Sequence, residues 1–282
     1  MGKENDSVIT RRTDIIRYYT IRIILAGVVI LAVSWVALPF VMTIVYAIAE
    51  PEEYYDPHII FPTRYTFEHI HKLIVLGAWD ALVNSVVVAL LTILISFSIG
   101  LPAGYAFARY VFRGKDVLKL FIVALRMFPM MVIAVPLLVL YFNIGLADTL
   151  LGIALAHTAM ALPFVILITS SIIAGVPIEY EEAGMVFGLS RFDSFLRITL
   201  PLSLPGLTAA SIFTFIMSWN EVFIAAILSL QNRTLPAFIL SIIGGSTDFI
   251  KFAGAFIMVI PALIFVFVAG KYLIRMWGIT LK

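Results

Sequence analysis

Apolar residues run along this chain in long stretches separated by short polar segments. Six stretches, at about 23–49, 81–108, 118–142, 150–175, 203–230 and 252–275, reach the roughly 20 residues that a bilayer-spanning helix needs. None shows the polar stripe at period 3.6 that a soluble bundle carries. The pattern predicts an all-α, polytopic membrane protein: a polar segment over 1–22, then six transmembrane helices within 23–282. Proline recurs in or beside the stretches, at Pro102, Pro129, Pro136, Pro163, Pro205 and Pro261. Kinks are expected there, with the freed backbone groups met by neighbouring helices or by a watered cavity.

Composition supports the bilayer. Hydrophobic residues make up 62% of the chain and charged residues 13%, against about 25% charged in a soluble domain. The net charge of +2 and the lack of a basic run among aromatics argue against nucleic acid. With no cysteine, disulfides and thiol chemistry are excluded. The first apolar run is longer than a signal-peptide core and reads as a retained span.

Lys and Arg set the orientation. Lys3, Arg11, Arg12, Arg17 and Arg22 precede the first span; Arg109, Arg113, Lys115 and Lys119 join the second to the third. Arg191 and Arg197 join the fourth to the fifth, and Lys271, Arg275 and Lys282 end the chain. The opposite side carries only Arg64, Lys72, Arg233 and Lys251. Both termini and the segment 177–201 are therefore expected in the cytoplasm. The acidic, aromatic outer stretch Glu50–Asp56 reads first as a solvated loop and second as a contact for an external partner.

The segment from Pro177 to Pro201 is more than a loop. Pro177 suits a first helical position, and Glu179, Glu181 and Glu182 suit the first turns. Gly188 is a natural stop. Ser190 with Asp193 offers a new cap, and Pro201 is expected to end the second short helix. Tyr180, Ala183 and Phe187 share one face. An interfacial helix would be rich in Lys and Arg on its polar face, whereas this first helix is acidic. A protein with a basic rim is the better partner.

These residues carry a resemblance. Glu182, Ala183, Gly184, Gly188, Ile198, Leu200 and Pro201 match, with full spacing, the loop motif of binding-protein-dependent ABC importer permeases: Glu-Ala-Ala, three residues, Gly, nine residues, Ile, any residue, Leu-Pro. Gly184 replaces the motif's second Ala, and Phe187 its usual Asp. Asn84-Ser85, Gly104–Arg109, Phe112–Lys115, Gly145-Leu146, Ser218–Glu221 and Tyr272–Arg275 resemble the carbohydrate-uptake branch, nearest the smaller permease of maltose- and glycerol-phosphate-type importers.

The resemblance implies a type I ABC importer fold whose coupling helix, through Tyr180, Glu182, Ala183, Gly184, Phe187 and Gly188, enters a cleft of a separate ATPase. The implied partners are a second permease subunit, two ATPase subunits that bind ATP and Mg, and an external sugar-binding protein. This chain lacks a phosphate-binding loop and is expected to be a non-catalytic membrane subunit with no cofactor of its own.

Two charges lie deep in the apolar stretches, Arg126 and Glu221, and intramembrane charges are costly unless paired or wetted. Trp219, Asn220 and Glu221 read either as a sugar-contacting wall or as a structural network. Arg126 reads as a gating or structural charge, snorkelling or paired with Glu221 or a sister subunit. His157 is expected to make a helix–helix hydrogen bond, and no metal site is expected. The alternatives are a permease for a non-sugar solute and an ion-coupled carrier using Arg126, His157 and Glu221.

Overall fold

A computed structural model describes residues 2–276. Lys282 lies outside these residues, and the side chains of Lys3, Arg11, Arg12, Lys271, Tyr272 and Arg275 lie outside the described side chains. The described chain is helical: α1 (Gly2–Ala47), α2 (Pro51–Tyr54), α3 (Glu68–Leu73), α4 (Trp79–Arg109), α5 (Lys115–Ala124), α6 (Met130–Ile144), α7 (Leu150–Ala174), α8 (Ile178–Val186), α9 (Arg191–Ser194), α10 (Leu200–Trp219), α11 (Phe223–Leu228), α12 (Leu235–Ile242) and α13 (Asp248–Met276). Five helical stretches are long and apolar enough to cross a membrane, and a bent α5–α6 pair makes a sixth.

The centre of the fold is the parallel pair α4–α7, with Thr92, Gly100 and Gly104 meeting Ala154, Val165 and Thr169 in the same order. Gly100 and Gly104 put small residues four apart on one face of α4, the spacing that lets membrane helices approach closely. A Cβ on Gly104 would lie 2.0 Å from Thr169 Oγ1, and one on Gly100 2.7 Å from Val165 Cγ1. Thr169 Oγ1 donates across the seam to Gly100 O at 3.2 Å. In contrast, none of the most apolar window of α1 is buried within this chain, so its apolar face is left to lipid or to another subunit.

Three elements depart from the uniform spans that the apolar pattern predicts. The third span is broken. A 3₁₀ turn at Leu125–Met127 and an extended Phe128 (φ −70°, ψ 128°) separate α5 from α6, which meet at 85°. Pro129 is the cause: it lacks an N–H and disfavours helical geometry in the residue before it. The fifth span is shorter than expected. It ends at Trp219, and α11 starts afresh at Phe223. Pro201 does not end a short helix. The helix runs from Arg191 to Trp219 through a π turn at Phe195–Thr199, with Pro201 in α10 directly after that turn.

The acidic stretch after α1 is an organised cap rather than a solvated loop. Glu53 is buried and accepts hydrogen bonds from Arg64 N (2.9 Å), Thr63 Oγ1 (2.8 Å) and Arg64 Nε (3.1 Å). These bonds, led by the Arg64 backbone N–H, pull its pKa from 4.5 down to about 2. Tyr54 packs edge-on against Tyr46, Phe249 and Phe252, fixing the cap to α13.

Candidate functional site

The segment between α7 and α10 follows its local signals closely. Pro177 is the N-cap rather than the first helical residue, and Glu179 and Glu181 occupy the first turn of α8. Gly188 adopts φ 92°, a conformation that costs glycine nothing. Leu189 N–H then reaches back to Gly184 O at 3.1 Å. Ser190 caps α9, accepting from Asp193 N at 3.1 Å.

Tyr180, Glu182, Ala183, Phe187 and Gly188 are exposed, with Phe187 88% open. Gly184 faces inward and is not available to a partner. A Cβ there would meet Ile198 Cδ1 at 2.6 Å, so the methyl missing from the motif has its place filled by Ile198.

The chain also contains a buried polar cluster that sequence reasoning missed. Glu181, next to the exposed Glu182, is 3% exposed. Its Oε1 accepts from Arg109 Nε at 2.7 Å and from Thr199 Oγ1; its Oε2 accepts from Tyr105 OH at 2.8 Å. Arg109 Nη2 also donates to Val176 O at 3.0 Å. Burial acts to raise the Glu181 pKa. The bonds from Thr199, Tyr105 and Arg109, with the Arg109 charge, outweigh it and hold the carboxyl below its ordinary value. The available signal was the spacing: Glu181 and Gly184 share a helix face at i, i+3, beside the face of the exposed knobs.

At the other candidate site, the break in the fifth span places Glu221 at the start of α11. Its Oε1 accepts from Ile224 N and its Oε2 from Ala225 N, both at 2.9 Å. His157 of α7 is fully buried, with Nε2 3.2 Å from Glu221 Oε2 and Nδ1 2.8 Å from Ser218 Oγ. A neutral imidazole protonated on Nε2 satisfies both contacts. The expected helix–helix bond is therefore present, and the carboxylate is engaged by three donors of its own chain.

Trp219 does not line an open wall. It is 2% exposed, stacks on Phe215 at 5.7 Å and donates Nε1–H to Met258 O at 3.2 Å. Of the predicted trio only Asn220 is exposed. Arg126 does not reach Glu221 either. It sits at the break of the third span with its guanidinium 3.4 Å from the Phe164 ring centroid. There it borders a cavity of about 280 Å³ lined also by Met130, Met160 and Pro163.

The described residues thus form a bundle of apolar helices with broken third and fifth spans and a short helix–glycine–helix beside it, the build of a polytopic membrane protein. The chain belongs to the family of binding-protein-dependent transport system inner membrane components, which residues 99–276 match. It is similar to the alpha-glucoside transport system permease protein AglG of Rhizobium meliloti (strain 1021), 34% identical over 76% of this chain and 59% of that protein. The match thus spans less than two thirds of that relative's length. It is also similar to the trehalose transport system permease protein SugB of Mycobacterium tuberculosis (strain CDC 1551 / Oshkosh), 31% identical over 78% of this chain and 82% of that protein.

Among solved structures, a chain of a bacterial ABC transporter involved in import of the acidic polysaccharide alginate superposes with a TM-score of 0.71. The identity is 19%, over 89% of this chain and 95% of that one. The fold is that of type I ABC importer permeases. The chain is a multi-pass membrane component of a binding-protein-dependent transport system.

Proposed function

We propose that this chain is one of two unlike permease subunits that carry a sugar across the membrane. An external binding protein delivers the cargo, and two separate ATPase subunits, which bind ATP and Mg, drive alternating access. The observation that carries the sugar reading is the 31–34% identity to permeases named for alpha-glucoside, diacetylchitobiose and trehalose uptake. Both termini and α8 face the cytoplasm in this reading, in line with the Lys and Arg bias of the connecting segments. The exposed knobs Tyr180, Ala183 and Phe187 enter the ATPase cleft, and exposed Glu182 pairs with a basic residue there.

The test is uptake of labelled di- and oligosaccharides by cells lacking the gene and complemented with it. Uptake restored by the gene, abolished by an inactive ATPase and indifferent to a proton uncoupler is expected. Uptake that follows the uncoupler instead refutes ATP drive, and restored uptake of a non-sugar osmolyte alone refutes the cargo. For the docking role, Glu182→Lys is expected to leave the chain inserted but to strip the ATPase from the purified complex and stop uptake. Normal co-purification with normal uptake refutes it.

A further inference from the structure

Two adjacent carboxylates on α8 have different surroundings. Glu182 is exposed, whereas Glu181 is buried and bonded to two separate elements. Tyr105 and Arg109 lie in the last turns of α4, and Thr199 closes the π turn that leads into α10. Arg109 reaches both Glu181 and the carbonyl of Val176, so it grips the start of α8 at two points. Its side chain is 6% exposed and that of Glu181 4%.

We propose that Arg109 and Glu181, with Tyr105 and Thr199, are the positioning residues that pass movement of α8 to the second and fifth spans. The inference rests on the reading of α8 as the ATPase-docking helix. The physical reason is directional. A buried ion pair adds little net stability over apolar residues of the same size, whereas charge-assisted bonds of good geometry fix orientation.

Apolar contacts alone would let α8 slide over the ends of α4 and α10. Three donors converging on the two oxygens of Glu181 leave it no second arrangement. α4 is in turn zipped to α7 through Gly100 and Gly104. A displacement of α8 therefore carries α4, α7 and the entry of α10 with it. The neighbouring Gly184, seated on Ile198 and Ser194, makes the same junction tight from the apolar side.

The experiment uses the assembled importer, purified through a tag on this chain and reconstituted in vesicles. Glu181→Gln keeps the shape and removes the charge. It is expected to retain the ATPase subunits and to lower sugar transported per ATP hydrolysed about tenfold, a size typical of coupling between sites. The chain has no cysteine, so single spin labels can be placed at Glu179→Cys on α8 and Leu204→Cys on α10. In the wild-type background both labels are expected to respond to ATP. With Glu181→Gln, the α8 label responds and the α10 label does not, an outcome that a merely structural role would not produce.

Wild-type transport per ATP in Glu181→Gln, or an unchanged response at Leu204→Cys, overturns the proposal. Loss of the ATPase from the Glu181→Gln complex overturns it too, because Glu181 then serves docking. If that variant does not accumulate, the double variant Tyr105→Phe, Thr199→Val decides on the same readouts, and full coupling there overturns the proposal. A wild-type complex without ATPase refutes the docking reading itself, a result distinct from all of these.

Discussion

Glu221→Ala tests whether the carboxylate at the break of the fifth span holds the protein together or holds the cargo. The substitution strands three donors: the backbone N–H groups of Ile224 and Ala225 and Nε2 of His157. Each buried donor without an acceptor costs about 1–3 kcal/mol, or about 3–9 kcal/mol for three. The Glu221 side chain is 9% exposed and Asn220 beside it is open. Water therefore enters part of the gap, and the expected loss is the lower part of that range, about 3–5 kcal/mol.

Glu221→Gln is milder. The two backbone N–H groups address different oxygens, and an amide supplies only one, so one donor is lost at about 1–3 kcal/mol. The assay is stepwise heating of the detergent-purified chain, without sugar or ATP, followed by size-exclusion chromatography. The midpoint should fall in the order wild type, Glu221→Gln, Glu221→Ala. A wild-type midpoint for Glu221→Ala, together with a raised KM for sugar, would refute the structural argument and make Glu221 a cargo ligand.

Other outcomes follow from the same geometry. Gly104→Ala puts a Cβ 2.0 Å from Thr169 Oγ1 and 3.0 Å from the backbone N of Ser170. Overpacking at about 1–3 kcal/mol outweighs the gain of about 1 kcal/mol in helix propensity, so the heating midpoint should fall. Adding Thr169→Ala should recover part of the loss, and a stabilised Gly104→Ala would contradict the close approach. The Glu53 cap should loosen in acid. Because the Glu53 pKa is depressed from 4.5 to about 2, its contribution is complete above 4.5 and lost as pH falls through 2. The protection factors of the amides over residues 50–66, which take out the intrinsic pH dependence of exchange, should fall between pH 5 and pH 2, and Glu53→Gln should remove that fall.

Much of the helix–glycine–helix segment between α7 and α10 was legible in the sequence because caps are local chemistry. Gly188 and Ser190 with Asp193 act within a few residues of themselves, and the structure finds each in its expected role. Glu182 was likewise placed on an open face. The division of labour between Glu181 and Glu182 was not legible. It depends on Arg109, 72 residues away, and on Thr199, 18 residues away. The break at Leu125–Phe128 had a visible cause in Pro129. Proline within a helix is also tolerated elsewhere in the chain, at Pro102, Pro136, Pro163 and Pro205. Which proline breaks its span is decided by the packing around it.

By itself the sequence determined that the chain crosses a membrane, how many apolar stretches do so, and that one exposed turn folds as helix–glycine–helix. These follow from the length and continuity of apolar runs and from local capping. Only the tertiary structure decided which residues face inward. In a bilayer both the lipid-facing and the buried sides of a helix are apolar, so the periodicity that marks a core in water is erased. Trp219 at the core, His157 beside Glu221, Gly104 against Thr169 and Glu181 beneath Arg109 are contacts between distant segments. No local pattern records them, because they come into being only when the helices pack.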